Sequence, residues 1–186
     1  MRYSPSEYVA VDGLALQIRL DYGFTDYYLD IFMLAQMLGI NLVPYSKLSS
    51  EQLSYVNSFS ALGDAFSTFR IQDKSVKFYT FYNDRVTYSR QRFSIGHEVK
   101  HVVLLENNPT EKDEDLANHF ARYILAPTCL VMNYVDKEPR EVAAIFKISV
   151  EAAKNALKSA KNRINYRGVK LSKIESKFVE LVDKKK

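Results

Sequence analysis

Apolar positions along the chain recur in two rhythms. From Thr25 to Gly39, Leu29, Phe32, Met33, Gln36 and Met37 return at helical spacing, with Thr25 as the cap and Gly39 as the stop. The Met and Phe stripe of that helix reads as core. Ile40 to Val43 then reads as a short strand closed by Pro44, and Ser49 or Ser50 opens a further helix through Leu53 and Val56. Two strands follow, Ala65–Ile71 and Val76–Tyr82, joined by the turn Gln72-Asp73-Lys74-Ser75. In the second, Val76, Phe78, Thr80 and Tyr82 alternate with Lys77, Tyr79 and Phe81, as a sheet with unequal faces requires.

The helical rhythm returns at Phe93, Ile95, Val99, Val102, Val103 and Leu104, a helix buried along one side. It breaks at Asn107-Asn108-Pro109, because a proline disfavours helical backbone in the residue before it. A second helix runs from about Thr110 to Leu125 and stops before Pro127, burying Leu116, Ala117, Phe120, Ala121 and Ile124. Arg140–Phe146, a break at Lys147-Ile148, and Ser149 capping a helix through Leu157 have the rhythm of a helix-turn-helix. A last helix, Lys170–Val182, shows Leu171, Ile174, Phe178, Leu181 and Val182 on one face. Residues 1–24 are less regular: Tyr8–Val11 and Leu14–Ile18 flank Asp12-Gly13 as short pieces with no evident task.

Small sheet and helices together predict an α+β fold. Three segments are expected: an N-terminal extension over 1–24, a central domain over 25–132 and a basic helical tail over 133–186. At 186 residues the chain can bury a substantial core. No apolar run approaches the ~18 residues of a membrane span. The N-terminus lacks the apolar region of a signal peptide, and the single cysteine, Cys129, permits no internal disulfide. These features predict a cytoplasmic protein without membrane association. Charge divides the chain unevenly. From Lys137 to Lys186 there are 14 Lys/Arg against 6 Asp/Glu, a net +8; the rest carries 12 against 16, a net −4.

Within the buried helix lies His97-Glu98-x-x-His101. Residues four apart share a helix face, so both imidazoles can address one ion at about 2.0–2.1 Å for zinc. Glu98, directly after the first ligand, emerges beside the ion and can take a proton from water there. Catalytic zinc usually has three protein ligands. On the next helix Glu114, Ala117, Asn118 and Ala121 form a stripe in which small alanines allow close approach. Glu114 is the natural third ligand and Asn118 a hydrogen-bonding support for a ligand. Glu111, Asp113 and Asp115 compete as carboxylates but suit a helix N-terminus. His119, five residues from Glu114, lies about 140° around the helix from it.

The chain resembles the ImmA/IrrE metallopeptidases in Phe93-Ser94-Ile95-Gly96-His97-Glu98-x-x-His101, in Glu114-x-x-Ala117-Asn118-x-Phe120-Ala121 and in Ile124-Leu125-Ala126-Pro127. Phe81-Tyr82-Asn83-Asp84 and Arg90-Gln91-Arg92 resemble the strand and lead-in before the motif. The likeness covers roughly Asp30 to Pro127. It implies a compact zincin-like domain of the gluzincin type, one zinc ion (manganese being the alternative) on His97, His101 and Glu114, and Glu98 as base. It also implies a helix-turn-helix repressor of a mobile element or stress response as substrate. Two positions depart from the family pattern: Lys100 stands where glycine is usual and Ala126 where methionine is usual.

Three functions are therefore in view. The first is a zinc endopeptidase that cleaves such a repressor. The second is a metal-bearing module that binds or senses the repressor without cutting it. The third is a DNA-associated regulator acting through Lys154, Lys158, Lys161 and Arg163. A basic solvated helix face accounts for the tail more simply than DNA does. If Val76–Tyr82 lies at the sheet edge beside the metal helix, a substrate peptide could add to it as an extra strand.

Overall fold

The computed structural model describes residues 5–58, 64–72, 75–106 and 108–185. In chain order it contains α1 (Pro5–Asp21), α2 (Ile31–Met37), β1 (Ile40–Pro44), α3 (Ser50–Ser58), β2 (Ala65–Gln72), β3 (Ser75–Tyr82) and α4 (Tyr88–Val103). There follow α5 (Glu111–Leu125), α6 (Thr128–Val131), α7 (Pro139–Phe146), α8 (Val150–Arg167) and α9 (Lys173–Asp183). The fold is mixed α+β. Packing divides it into two compact units: Ile31–Ala117, and the residues up to Asp30 together with those from Asn118 onward. The segments expected at 1–24, 25–132 and 133–186 rest on composition and share neither boundary with this division.

In the first unit the sheet order is β1-β3-β2, with β3 parallel to β1 and antiparallel to β2. The strand Val76–Tyr82 is thus central, which corrects the expectation that it could form an edge. Ile40–Pro44 occupies its far side, in register from Phe78 to Tyr82, and the edge nearest the metal motif is β2. Alternation places Ser67 opposite Thr80; their hydroxyls are 2.7 Å apart, and Thr80 is buried. Helix α4 packs on both β2 and β3. The ring of Phe32 stacks on Tyr88 and meets Tyr82 edge-on, joining α2 to the strand end and the start of α4.

Helix α2 also differs from expectation. It begins at Ile31, so Thr25 is a buried residue several positions upstream and caps nothing. With only two turns, its core face is Ile31, Leu34 and Ala35, and the methionines of the expected stripe are turned out, Met33 53% and Met37 51% exposed. Gly39 ends it with φ of 77°, a left-handed conformation that suits glycine. Ser49 caps α3 reciprocally: its hydroxyl accepts from the Gln52 amide while Gln52 Oε1 accepts from the Ser49 amide.

In the second unit, residues 5–21 form one helix running straight through Asp12-Gly13, because Val11, Ala15, Leu16 and Ile18 bury one face of it. Arg19 is wholly buried. Its guanidinium donates to the carbonyls of Phe24 at 3.1 Å, Ile124 at 3.0 Å and Asp26, and lies over the Phe178 ring. A buried guanidinium satisfied by several carbonyls pins a chain reversal that has no regular structure. Lys147 breaks α7 from α8 in a left-handed conformation, and Ser149 caps α8 as its sequence predicts. Cys129 is buried, and burial pushes its thiol up to about 12, so it packs as a small apolar residue.

One ion pair organises the C-terminal helices. Arg163 meets Glu175, with Nη2 to Oε2 at 2.8 Å, and Tyr123 donates to the same carboxylate at 3.0 Å. Burial alone would raise the Glu175 carboxyl, but the guanidinium and the Ser172 cap more than offset it and hold it down at about 2. A carboxyl lowered in the folded state stabilises fully above its unfolded value of 4.5 and loses that contribution as pH falls towards 2. Glu175→Gln should therefore cost about 2–3 kcal/mol at pH 7. In thermal melts from pH 7 down to pH 2.5, the gap from wild type should hold to near pH 5 and then narrow.

Candidate metal centre

Helix α4 presents His97 and His101 one turn apart, and α5 brings Glu114 to meet them. The two Nε2 atoms are 3.0 Å apart, His97 Nε2 lies 3.0 Å from Glu114 Oε2, and His101 Nε2 lies 3.4 Å from Oε1. Ligand atoms on a tetrahedral zinc with bonds of about 2.0–2.1 Å stand about 3.3 Å apart, so the donor set fits one ion. Side-chain exposure rises from 7% at His101 through 15% at His97 to 45% at Glu114. The site is therefore closed behind His101 and open beside Glu114.

Protonation follows from the partners. His101 Nδ1 is 2.7 Å from Glu106 Oε2. A carboxylate can only accept, so Nδ1 carries a proton towards Glu106 and Nε2 faces His97 and Glu114. A divalent cation placed among them would be held by one atom each from His97, His101 and Glu114. Glu106 thus orients a ligand in the manner of the carboxylates behind many zinc-bound histidines.

Glu106 reaches that position because α4 ends in a tight reversal. The Glu106 amide donates to the His101 carbonyl and the Leu105 amide to that of Val102, the paired bonds of a Schellman turn. Leu105 occupies the left-handed position, with φ of 54°, where glycine is the usual residue. Lys100, fully buried, places Nζ 2.6 Å from both oxygens of Glu106 and 3.1 Å from the Asp113 carbonyl. Neither Lys100 nor Glu106 stands out in the sequence as part of the site. A lysine facing inward contradicts its usual surface preference, and a glutamate just past a helix end without glycine carries no signal.

Glu98 is 6% exposed and lies against β2, where the Ser67 hydroxyl and amide donate to it. Burial pushes its carboxyl up to about 7, Ser67 pulls it down, and the Glu114 charge adds to the rise. A cation on the ligands would draw it back down. Tyr45 feels the same centre. Burial first, then the charges of Glu98 and Asp64, push its phenol up to about 12, so it remains a proton donor at neutral pH.

The rival ligands have other work. Asp113 accepts from the Thr110 amide and hydroxyl at the head of α5, and Glu111 and Asp115 are exposed. His119 is bonded to Asp12 at 2.7 Å with the Tyr8 ring against it. Asn118 follows Glu114 by one turn and is half-buried.

The profile of the IrrE N-terminal-like domain, Peptidase M78, matches residues 66–158, half of the chain. The chain belongs to this family. No curated protein and no solved structure gives a significant match. Membership in a peptidase family establishes a metallopeptidase kind of function, and the IrrE-like span contains β2, both ligand helices and the candidate metal group. It begins later than the resemblance over 30–127 and extends into α8, so the helices after Pro127 belong partly to the family domain.

Glu114→Ala should lower bound zinc from one equivalent to well below half on metal analysis of the purified protein. Leu105→Gly relieves a left-handed leucine whose side chain is 67% exposed, and should raise stability by about 0.5–1 kcal/mol, read as a higher melting temperature.

Proposed function

We propose that the protein is a zinc-dependent endopeptidase, with His97, His101 and Glu114 as ligands, Glu98 as general base, and a helix-turn-helix repressor of a mobile element or stress response as substrate. The observation that carries the proposal is the convergence of three ligand atoms beside a buried carboxylate in a chain of the IrrE-like family. Zinc, when bound, would polarise the scissile carbonyl and acidify the attacking water. Glu98 takes the proton from that water and returns it to the leaving amine. Ser67 holds the carboxylate in place from the sheet, and Glu106 holds the His101 tautomer. The proposed role of Asn118 is to steady the Glu114 side of the site.

The geometry of β2 favours a peptide substrate. Among the described residues it is the sheet's outer strand on the side of Glu98, where an extended segment could pair. Phe69 and Ile71 fall on the same side of β2 as Ser67 by alternation and are exposed, which suits apolar side chains in such a segment. A DNA-binding tail is less favoured. Arg163, one of its four expected contacts, is engaged by Glu175, and Lys154 pairs with Glu151.

Intact mass spectrometry of a candidate helix-turn-helix repressor, co-expressed with wild type or with Glu98→Gln, tests the proposal. Both proteins should carry zinc. Repressor fragments should appear with wild type only, the variant being slower by about 10²–10⁴-fold. A repressor that stays intact yet co-purifies with both would establish a binding module in place of a protease.

A further inference from the structure

We propose that Lys100 is a positioning residue of the metal centre, its buried ammonium fixing the ligands on both helices at once through Glu106 and the Asp113 carbonyl. The inference rests on the metal site proposed above. Toward α4, Lys100 holds both oxygens of Glu106 at 2.6 Å, and the same carboxylate holds His101 Nδ1 at 2.7 Å. Toward α5, the same nitrogen binds the carbonyl of Asp113 at 3.1 Å, the residue immediately before Glu114. One side chain therefore fixes the rotation of His101 and the approach of the helix turn that carries Glu114.

Stability does not call for a lysine here. A wholly buried ammonium is costly to desolvate, and a buried ion pair is on average no more stabilising than apolar residues of equal size. What an apolar pair lacks is direction. Without the ammonium, Glu106 has one fewer donor to fix its plane, and without Glu106 the His101 ring has no acceptor to set its tautomer.

The double variant Lys100→Met/Glu106→Leu separates positioning from folding, since it removes both charges and leaves no buried ion unpaired. Three quantities are compared with wild type: the melting temperature of the metal-free protein, the zinc dissociation constant by competition with a chromophoric chelator, and the His101 ring signals in 15N NMR of the metal-free protein. Melting should stay within a few degrees, zinc should bind about 10–100-fold more weakly, and the Nδ1–H signature of His101 should give way to mixed tautomers. Unchanged zinc affinity with an unchanged His101 tautomer would overturn the proposal. Should the double variant fail to fold, Glu106→Gln gives the second reading, because it keeps the size and one acceptor of the glutamate. Its zinc affinity must fall as well, and an unchanged value sinks the proposal. Failure of wild type to bind zinc would instead remove the metal centre itself, a separate result.

Discussion

Three candidate ligand atoms from two helices must be held about 3 Å apart, and the surroundings of the site in this IrrE-like protein bear on that one constraint. The supports of His97, His101 and Glu114 are built into regular elements. Helix α4 is buried over most of Ser94–Val102, its end is locked by a Schellman turn, and α5 begins in a cap where Thr110 and Asp113 bond reciprocally. Rigid elements of this kind hold ligands more accurately than loops do. The left-handed Leu105 shows the same priority, a local cost accepted where the turn must deliver Glu106 to the back of His101.

Much of the site was legible because metal chemistry imposes periodicity. Two histidines and a glutamate on one helix, then a carboxylate opposite small alanines on the next, are spaced as a cation demands, and the structure brings His97, His101 and Glu114 within reach of one another. Leu116, Ala117, Phe120, Ala121 and Ile124 are buried as their spacing predicts. The parts that could not be read are those in which tertiary context overrides local preference. Lys100 looks like a surface residue. Glu106 follows a helix end that lacks the usual glycine. Strand order depends on where β1 inserts, and alternation within β3 is the same for a central strand as for an edge. Methionine is at home on either face of a short helix, which is why Met33 and Met37 gave a misleading stripe.

Charge along the chain also means something different in three dimensions. The basic excess after Lys137 suggests a polyanion surface, but Arg163 is drawn inward by Glu175, which closes the capping box of α9 on Ser172 and also accepts from Tyr123. Arg163 is thereby engaged in a structural ion pair, while Lys137, Lys154, Lys158 and Lys161 line one open hollow between residues 135–139 and α8. Basic side chains spaced along helices are accounted for by a solvated face without a nucleic-acid partner.

Proposed base and proposed substrate edge are linked by a single residue. Ser67 sits on the outer strand, bonds Thr80 across the sheet and donates to Glu98. A peptide pairing with β2 would thus be placed relative to the same strand that fixes the base. Proton transfer depends steeply on distance, and shared support keeps two reacting groups in register when the strand as a whole moves. Phe69 and Ile71, beyond Ser67 on the same face and exposed, would then offer a substrate side chain an apolar surface. The chemistry and the recognition would share one strand, divided along its length.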